Sequence, residues 1–403
     1  MDSSVPLTRC GIDSVDLSRI DRLLRETHRE DLLRIFSAEE LKDAGDGAGR
    51  VASIAARFAA KEACLKLFPR ETALGQIGPA DFVVAQDGYG APRIVPSQMA
   101  QALLDRYRLK AIALSLTHHD ASASALVVTD PLQTHVPLVG KIIYYLLPIR
   151  RRVVLSNLRL VFGGKVPESE IVRLAQAFYG HMGRFLVEFI GYSWLSMARR
   201  AALVRVENVD AILRAHEQGK GVLVLTAHLG NWELTTVAGM ANFPQYRGRF
   251  HIPRKPLHPP WLDALVTGRF RRAGLGVLPK KGALEAILDR LAAQDVIVFI
   301  FDQHAGGRDG VEVEFFGHKA KTFRSLATIA LATGSPVVPA ATWREPDGHH
   351  VLRFEEALPV VECDDPDEAI RANTRVYNAA LERLILRHPE QWFWMHRRWK
   401  NLR

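Results

Sequence analysis

The segment GVLVLTAHLGNWEL, residues 221–234, decides the fold of the larger part of this chain. Its first seven residues form an apolar run that predicts a buried strand. His228 follows at the mouth of that strand, and Glu233 lies five residues further on, where a helix is expected to begin. An imidazole held there can take a proton from an attacking lipid or sugar hydroxyl, and a carboxylate can fix its tautomer and stabilise its cation. The same H-x4-E spacing also arises by chance, as a satisfied histidine beside a helix-opening carboxylate.

The segments that follow repeat this alternation of strand and helix. VIVFIFD (296–302) and PVVPAAT (336–342) are further apolar β-rich runs, and helical patterns cover 233–241, 260–272, 282–293 and 321–333. Strands that alternate with helices predict an α/β sheet with parallel pairs and functional residues at the strand C-terminal ends. Asp302 ends the apolar run 296–302, and His228 follows the apolar run 221–227. Both residues are therefore expected at the C-terminal edge of the sheet.

Residues 1–130 predict a separate, smaller α+β domain. Strand patterns lie at 7–13, 82–86, 93–95, 111–118 and 123–130, and helical patterns lie at 15–26, 50–68 and 98–107. Ser37 and Glu40 have the spacing of a capping box. PLQTHVP (131–137) has two prolines and little periodicity, so we assign it as the linker to a second domain, 138–403.

Composition narrows the class of protein. Apolar residues make up 48% and charged residues 24%, as in soluble globular proteins. The three cysteines are far apart, which argues against a zinc site or a disulfide framework and fits a reducing cytoplasm. Residues 1–130 hold 16 basic and 18 acidic side chains, whereas the remainder holds 37 and 26. A basic second half indicates contact with an anionic surface. No nucleic-acid-binding module is recognisable, so a phospholipid surface is favoured.

A second set of chemical residues lies in the first domain. Asp13 ends the first predicted strand, and RFAAKEACLKLF (57–68) places Arg57, Lys61, Glu62 and Lys66 on one long helix. If strand and helix pack together, Asp13 and Glu62 can share one Mg²⁺, with the cations around a phosphorylated ligand. On spacing alone, a strand cap and a solvated Glu–Lys pair explain the same residues.

The first domain resembles the holo-acyl-carrier-protein synthases, the small type of 4'-phosphopantetheinyl transferase. The resemblance rests on GIDSVDLSRI (11–20), RIFSAEEL (34–41), ARFAAKEACLKL (56–67), DGYGAPRI (87–94) and SLTHHDASASALVV (115–128), which occur in the family's order. It implies Asp13 and Glu62 as Mg²⁺ ligands, with Glu62 or a metal-bound water as base. It also implies that Arg57, Lys61, Lys66 and His118 contact coenzyme A or an acidic acyl carrier protein. Small synthases form trimers, so an oligomer is compatible with the resemblance.

The second domain resembles the lauroyl/myristoyl acyltransferases of lipid A biosynthesis, within the lysophospholipid acyltransferase superfamily. The segments that carry it are 147–163, 219–234, 251–260, 296–340 and 388–400. It implies His228 as general base with Glu233, Arg254 as a phosphate or oxyanion contact, and no cofactor. Asn231 and Asp302 are supporting candidates. Relatives often have Asp-x-Asp where this chain has Asp302-Gln303-His304.

Two apolar segments have alternative interpretations. QWFWMHRRWK (391–400) is either a C-terminal segment with its aromatics in the core or an interfacial belt whose basic residues meet lipid phosphates. VPLVGKIIYYLLPI (136–149), followed by three arginines, is too short to cross a bilayer and is interpreted as lying on the membrane rather than as a core helix.

Together these residues predict a bifunctional enzyme on the cytoplasmic face of the inner membrane, or in the cytoplasm. One domain would transfer phosphopantetheine from coenzyme A to a serine of an acyl carrier protein. The other would transfer an acyl group from that carrier, or from acyl-coenzyme A, to a lipid hydroxyl. The alternative is a membrane-associated acyltransferase whose first domain only docks the carrier. A scaffold without catalysis is disfavoured by His228 and Glu233.

Overall fold

The computed structural model describes residues 8–147, 149–195, 197–279 and 282–400, and the chain divides into two units. One unit comprises the residues up to Thr134 together with Phe162–Glu170, and the other comprises His135–Val161 and the chain from Ile171 onward. The segment 162–170 was expected in the second domain. It groups with the first because the Glu170 carboxylate accepts a hydrogen bond from the backbone N–H of Thr134, at 2.9 Å.

The first unit is built around one helix on one face of a three-stranded antiparallel sheet. The sheet has the order β1-β5-β4, and β2 and β3 form a separate two-stranded hairpin. Ser37 and Glu40 form the predicted capping box. Its elements are β1 (Arg9–Asp16), α1 (Leu17–Glu26), α2 (Arg29–Leu32), α3 (Ala38–Asp43), α4 (Arg50–Leu65), α5 (Arg70–Ala73), β2 (Phe82–Gln86), β3 (Pro92–Pro96), α6 (Gln98–Arg106), β4 (Ala113–His118) and β5 (Ser122–Thr129).

The central helix α4 is alanine-rich, and small side chains let it approach the sheet closely. Ala55, Ala59, Ala60 and Ala63 are fully buried. A Cβ on Gly11 of β1 would overlap the carbonyl oxygen of Ala63, so only glycine permits this approach. The packing of β1 against α4 that the first predicted site requires is therefore present.

The rest of the chain supplies the elements of the larger α/β unit. These are α7 (Leu138–Leu146), α8 (Arg151–Phe162), α9 (Glu168–Gly191), α10 (Met197–Ala202), β6 (Val204–Glu207), α11 (Val209–His216), β7 (Val222–Thr226), α12 (Trp232–Gly239), β8 (Phe250–Arg254), α13 (Pro260–Ala273), β9 (Leu275–Pro279), α14 (Leu284–Ala292), β10 (Val296–Ile300), β11 (Gly310–Phe315), β12 (His318–Phe323), α15 (Ser325–Thr333), β13 (Val337–Arg344), β14 (His350–Phe354) and α16 (Pro366–Arg387).

Seven of these strands form one mixed sheet in the order β6-β14-β13-β7-β10-β8-β9. Among the described strands of this sheet the β13–β14 pair alone is antiparallel, and every other adjacent pair is parallel. β7 is central and almost wholly buried, as its apolar run predicts. The expected fold class, a small α+β domain followed by a larger α/β sheet flanked by helices, is confirmed.

One predicted helix was wrong at its start. Residues 321–323 belong to β12, which pairs with β11 in a hairpin, and α15 begins only at Ser325. In β12, Ala320 and Thr322 are buried and their neighbours are exposed or half-buried, and this alternation has the period of a strand. The longer helical pattern of 325–333 obscured it in the sequence.

The two segments with alternative interpretations differ in burial. The helix α7 buries Gly140 and Tyr144 but exposes Leu138, Ile142, Tyr145 and Leu146. By contrast, Trp392, Trp394 and Trp399 are buried, so the C-terminal aromatics belong to the core. Within the described ranges, no helix is both long and apolar enough to cross a bilayer.

Candidate active sites

The parallel pairing of β7 and β10 brings His228 and Asp302 together. Thr226 and Ile300 are register partners at the ends of these strands, and His228 and Asp302 each lie two residues further along. Nδ1 of His228 lies 2.8 Å from Oδ1 of Asp302, and the backbone N–H of His228 donates to Oδ2 at 3.0 Å. Both the ring and the backbone of the histidine are thus held by one carboxylate.

The charge state of Asp302 sets the tautomer of His228. Burial alone would raise the pKa of Asp302, but the charge of His228 and the hydrogen bonds from His228 and Trp392 outweigh it and lower the pKa to about 2. An ionised carboxylate accepts hydrogen bonds only, so Nδ1 carries the proton. Nε2 then presents a lone pair, and the side-chain nitrogen of Gln303 lies 3.4 Å from it.

Glu233 occupies a different place from the one its spacing suggested. The carboxylate on Nδ1 is that of Asp302, because adjacent parallel strands end side by side, whereas Glu233 lies in the first turn of α12. Burial raises the pKa of Glu233, against the opposing charges of Arg254 and His228. Glu233 therefore lies beside the site but is not the hydrogen-bonded partner on Nδ1.

An apolar cleft opens beside Glu233. It has a volume of about 710 Å³, within the range of ligand-binding cavities. Among the described residues of its lining, Glu233 and Arg269 alone are charged. The other lining residues come chiefly from α9, α13 and the turn after α9, and include Phe185, Leu186, Phe189, Ile190, Trp194, Trp232, Trp261 and Leu265.

Arg254 is held by the helix that follows it. Its Nη1 donates to Oγ1 of Thr267 at 3.0 Å and pairs with Oδ1 of Asp263 at 3.2 Å, and the guanidinium lies over the ring of Phe270. The predicted phosphate or oxyanion contact is therefore fixed to α13, and its link to the site is the effect of its charge on Glu233.

A buried polar network supports the loop that carries His228. Asn231 caps α12 by accepting from the N–H of Leu234 at 3.2 Å, and its side-chain amide donates to Glu188 at 2.9 Å. Glu188 receives two hydrogen bonds from Arg344, at 2.6 and 2.5 Å. Its pKa is lowered to about 2 because those bonds, together with His350 and Asn231, outweigh the effect of burial. The predicted support from Asn231 thus has partners, Glu188 and Arg344, that sequence reasoning missed.

Gly230 closes this loop at a point where no side chain fits. Its φ is +61°, and a Cβ would lie 2.5 Å from the carbonyl oxygen of Thr342. Its own carbonyl lies 3.2 Å from Nε2 of His181. Burial and then the charge of Arg344 lower the pKa of His181 to about 3, so this histidine is neutral at ordinary pH.

In the first unit, the structure separates the predicted ligand-binding cations. Nζ of Lys66 lies 2.7 Å from Oδ1 of Asp13 and is half exposed at the end of α4. Lys61 is instead fully buried, 2.9 Å from Oε2 of Glu40, and donates to the carbonyl of Phe82 at 2.8 Å. Successive helix positions point about 100° apart, so Lys61 faces away from the outer face that Glu62 and Lys66 share, and its contact with coenzyme A or the carrier stays a prediction that this burial disfavours.

Arg57 and His118 also differ from expectation. Arg57 is buried and donates to the carbonyl and hydroxyl of Ser53, one turn earlier in α4. His118 is exposed at the end of β4, and β5 lies between β4 and β1. It therefore lies two strand spacings, roughly 10 Å, from the strand that carries Asp13. The structure brings Asp13, Glu62 and Lys66 to contacting elements, whereas Arg57 is buried on the same helix as Glu62 and His118 lies on a strand that is not adjacent to β1.

The carboxylates of Asp13 and Glu62 suit a divalent cation. They come from β1 and α4, which the absence of a Cβ on Gly11 allows to touch. Mg²⁺ in phosphate-binding sites commonly takes one or two carboxylates and completes its shell with water and phosphate oxygens. Among the described residues, no cluster of three or more His, Cys, Asp or Glu side chains is placed to hold a metal ion.

Comparisons with known proteins divide the chain in the same way. Residues 126–401 match the family described as bacterial lipid A biosynthesis acyltransferase, and residues 9–124 match the 4'-phosphopantetheinyl transferase superfamily. The lipid A biosynthesis lauroyltransferase of Escherichia coli (strain K12) is 26% identical over 265 residues, which cover 65% of this chain and 83% of that relative. Both resemblances inferred from the sequence are confirmed.

Relatives of the first unit are similar over nearly their whole length. The holo-[acyl-carrier-protein] synthase of Treponema pallidum subsp. pallidum is 37% identical over 117 residues, which cover 29% of this chain and 92% of that relative. Among solved structures, the holo-[acyl-carrier-protein] synthase of Helicobacter pylori in complex with coenzyme A is 27% identical, with 30% of this chain and 98% of that chain covered and a TM-score of 0.26.

Proposed function

Because the chain belongs to the bacterial lipid A biosynthesis acyltransferase family and also carries a domain of the 4'-phosphopantetheinyl transferase superfamily, we propose that it is a bifunctional transferase. The second unit would transfer an acyl group to a hydroxyl of a lipid acceptor. The first would transfer 4'-phosphopantetheine from coenzyme A to a serine of an acyl carrier protein.

The single observation that carries the acyl transfer is the bond between His228 Nδ1 and Asp302, which leaves Nε2 available as a base. Nε2 takes the proton of the acceptor hydroxyl as its oxygen attacks the acyl thioester carbonyl. The ionised Asp302 stabilises the imidazolium that results. Collapse of the tetrahedral oxyanion forms the ester, breaks the C–S bond, and returns the proton from His228 to the departing thiolate.

The surroundings of His228 supply the other requirements of this reaction. Gln303 holds an amide nitrogen near Nε2, and Arg254 and backbone N–H groups are further candidates to stabilise the oxyanion. The cleft beside Glu233 is apolar and open enough for an acyl chain. The name of the Escherichia coli lauroyltransferase specifies a lauroyl group for that protein. For this chain we propose an acyl thioester of acyl carrier protein or coenzyme A as donor.

In the first unit, Asp13 and Glu62 would hold Mg²⁺, which when bound neutralises charge on the pyrophosphate of coenzyme A. Lys66 would turn from Asp13 to a ligand phosphate as the carboxylate engages the cation. Glu62, or a water on the metal, would accept the proton of the carrier serine. The carrier oxygen forms the new bond to phosphorus, and 3',5'-adenosine bisphosphate leaves.

Peripheral association with an anionic membrane completes the proposal. The apolar side chains exposed on α7 and near the end of α9, including Leu146, Leu186, Val187 and Trp194, form a surface that water disfavours. Arg150–Arg152 follow α7 and would meet lipid phosphates. The cytoplasmic face of the inner membrane would bring both carrier protein and lipid acceptor within reach.

Two assays test the reactions separately. Incubation of apo acyl carrier protein with the chain, coenzyme A and Mg²⁺ should add the mass of phosphopantetheine, and Asp13→Ala and Glu62→Ala should abolish that gain. Incubation with acyl carrier thioester and a detergent-dispersed lipid acceptor should yield acylated lipid, and His228→Ala should not. Acylation without any gain of mass, across several carriers, would leave the first unit as a docking module.

A further inference from the structure

The carboxylate that holds His228 is itself held by a residue from the far end of the second unit. The indole Nε1–H of Trp392 donates to Oδ2 of Asp302 at 2.7 Å, and the backbone N–H of His228 donates to the same oxygen at 3.0 Å. With Nδ1 of His228 on Oδ1, the carboxylate has three hydrogen bonds and no freedom to rotate. One of the three comes from a side chain that lies 90 positions after Asp302.

The backbone around Trp392 is fixed against the same loop. Residues 391–393 run antiparallel to residues 228–230: the N–H of Phe393 donates to the carbonyl of His228 at 2.9 Å, and the N–H of Gly230 donates to the carbonyl of Gln391 at 3.1 Å. The side-chain amide of Gln391 pairs with the backbone N–H and carbonyl of Arg344, at 2.8 and 3.0 Å. The backbone that carries the indole is therefore held by both the His228 loop and Arg344.

Aromatic packing fixes the plane of the indole ring. Trp392 is 2% exposed, and its ring centroid lies 4.5 Å from that of Trp394 and about 6 Å from those of Phe315 and Phe316. Tryptophan has one N–H and no acceptor, so it can only donate to the carboxylate and never competes with it for the proton on Nδ1. This chemistry suits a group that must remain an ionised acceptor.

We propose that Trp392 is a positioning residue of the acyl-transfer site, whose indole N–H orients the Asp302 carboxylate so that Oδ1 faces Nδ1 of His228. The proposal rests on the proposed acyltransferase function for its kinetic effect, but the orientation itself exists in the resting protein. Without the indole bond, the carboxylate rotates away from the ring plane of His228, and the imidazolium formed during the reaction loses part of its stabilisation. Substrate binding is unaffected, so kcat falls while KM remains.

The matched control is Trp394, two positions further on. It is equally buried, and its indole donates to the carbonyl of Pro389 at 2.6 Å rather than to the site. Trp392→Phe and Trp394→Phe thus each delete one buried indole hydrogen bond, but only the first touches Asp302. We expect kcat to fall at least tenfold in Trp392→Phe and to stay within about twofold in Trp394→Phe, with similar losses of stability in both.

A measurement on the resting full chain needs no substrate. The low-field proton resonance of the His228 Nδ1–H, identified by its loss in His228→Gln, should move or broaden in Trp392→Phe and stay in place in Trp394→Phe. If Trp392→Phe fails to fold, benzothienylalanine at position 392 keeps both fused rings and removes only the N–H. An unmoved resonance together with a kcat equal to that of Trp394→Phe overturns the proposal.

The two readouts separate this proposal from the function on which it rests. If the natural chain shows no acyl transfer to any acceptor tested, the proposed function fails, and the resonance alone decides whether Trp392 orients Asp302. If acyl transfer is present and only Asp302→Asn disturbs it, the function stands and the positioning role of Trp392 falls.

Discussion

Oδ1 of Asp302 lies 2.8 Å from Nδ1 of His228, although 74 positions separate the two residues in the chain. The nearer carboxylate in sequence, Glu233, lies instead in the wall of an apolar cleft. The surroundings of the two carboxylates push their pKa values in opposite directions: the charge of His228 and the hydrogen bonds from His228 and Trp392 lower that of Asp302, and burial raises that of Glu233. The two should therefore be separable by substitution.

Asp302→Asn should lower kcat for acyl transfer by about 10²- to 10⁴-fold, the usual contribution of general acid–base catalysis. An amide can donate to Nδ1 and so favours the tautomer with the proton on Nε2, where the base is needed. Steady-state kinetics on the purified chain would measure this, with the surface variant Asp367→Asn as control. A kcat for Asp302→Asn within threefold of the control value would contradict the assignment.

Glu233→Gln should make the second unit more stable at pH 8 while lowering its acyl transfer. Burial raises the folded-state pKa above the ordinary value of 4.5, so the folded state binds the proton more tightly. Stability is then lost as pH rises from about 4.5 through the folded pKa, and glutamine removes this loss. Thermal unfolding followed by tryptophan fluorescence at pH 5 and pH 8 would check it; a variant less stable than the natural chain at pH 8 refutes it.

Lys61→Met should destabilise the first unit by about 3–5 kcal/mol, because it leaves Glu40 as a buried charge without its cation. Lys66→Met is the matched control: its pair with Asp13 is partly exposed, so its effect on stability should stay below about 1 kcal/mol while phosphopantetheine transfer falls.

The measurement exploits the distribution of tryptophan. All seven tryptophans lie at position 194 or later, so their fluorescence reports the second unit alone, whereas circular dichroism reports both. Urea denaturation of Lys61→Met should shift the dichroism transition and leave the fluorescence transition in place. Equal stability of the two lysine variants would speak against a structural role for Lys61.

Gly230→Ala should lower the free energy of unfolding of the second unit by about 2–4 kcal/mol. The alanine would need a left-handed backbone, and its Cβ would overlap the carbonyl of Thr342. Gly248→Ala separates the two causes, since Gly248 also has a positive φ but nothing lies within 4 Å of its Cβ position. Gly248→Ala should lower the free energy of unfolding by about 1 kcal/mol and keep full acyl transfer. Urea denaturation followed by fluorescence measures both, and equal costs would show that the contact with Thr342 relaxes.

The double variant Leu146→Ser, Trp194→Ser should bind vesicles of anionic phosphatidylglycerol at least tenfold more weakly, since burial of one such side chain contributes about 1.5–3 kcal/mol. Leu284→Ser, at an exposed position on α14, serves as control. Sedimentation with vesicles gives the partition coefficient. Undiminished binding by the double variant would place the membrane contact elsewhere.

Sequence patterns predicted the elements of the parallel sheet where strands are long, apolar and followed by clear helices. They missed β8 and β9, the segments FHIPR and LGVLP, because each is short and ends at or near a proline. The hairpin of β11 and β12 was also missed, since its period of two directly precedes a helix.

The chemistry was predictable to the level of residue type but not of partner. His228 and Asp302 were placed at one edge of a sheet by the apolar runs before them, yet which carboxylate meets Nδ1 depends on strand order. Lys61 and Lys66 differ by five positions on one helix, and only the packing of α3 and β2 shows that the first is enclosed. Trp392 gave no local signal at all, because its partner is distant in the chain.

The pairing of residues 391–393 with the His228 loop also sets an order of events during synthesis. A nascent chain that already contains His228 and Asp302 still lacks the indole and the backbone that complete their site. The first unit has all of its segments once Glu170 has been translated. On the proposed function, an unfinished chain still attached to the ribosome can already transfer phosphopantetheine to carrier proteins. It begins to transfer acyl groups only after translation has passed residue 393.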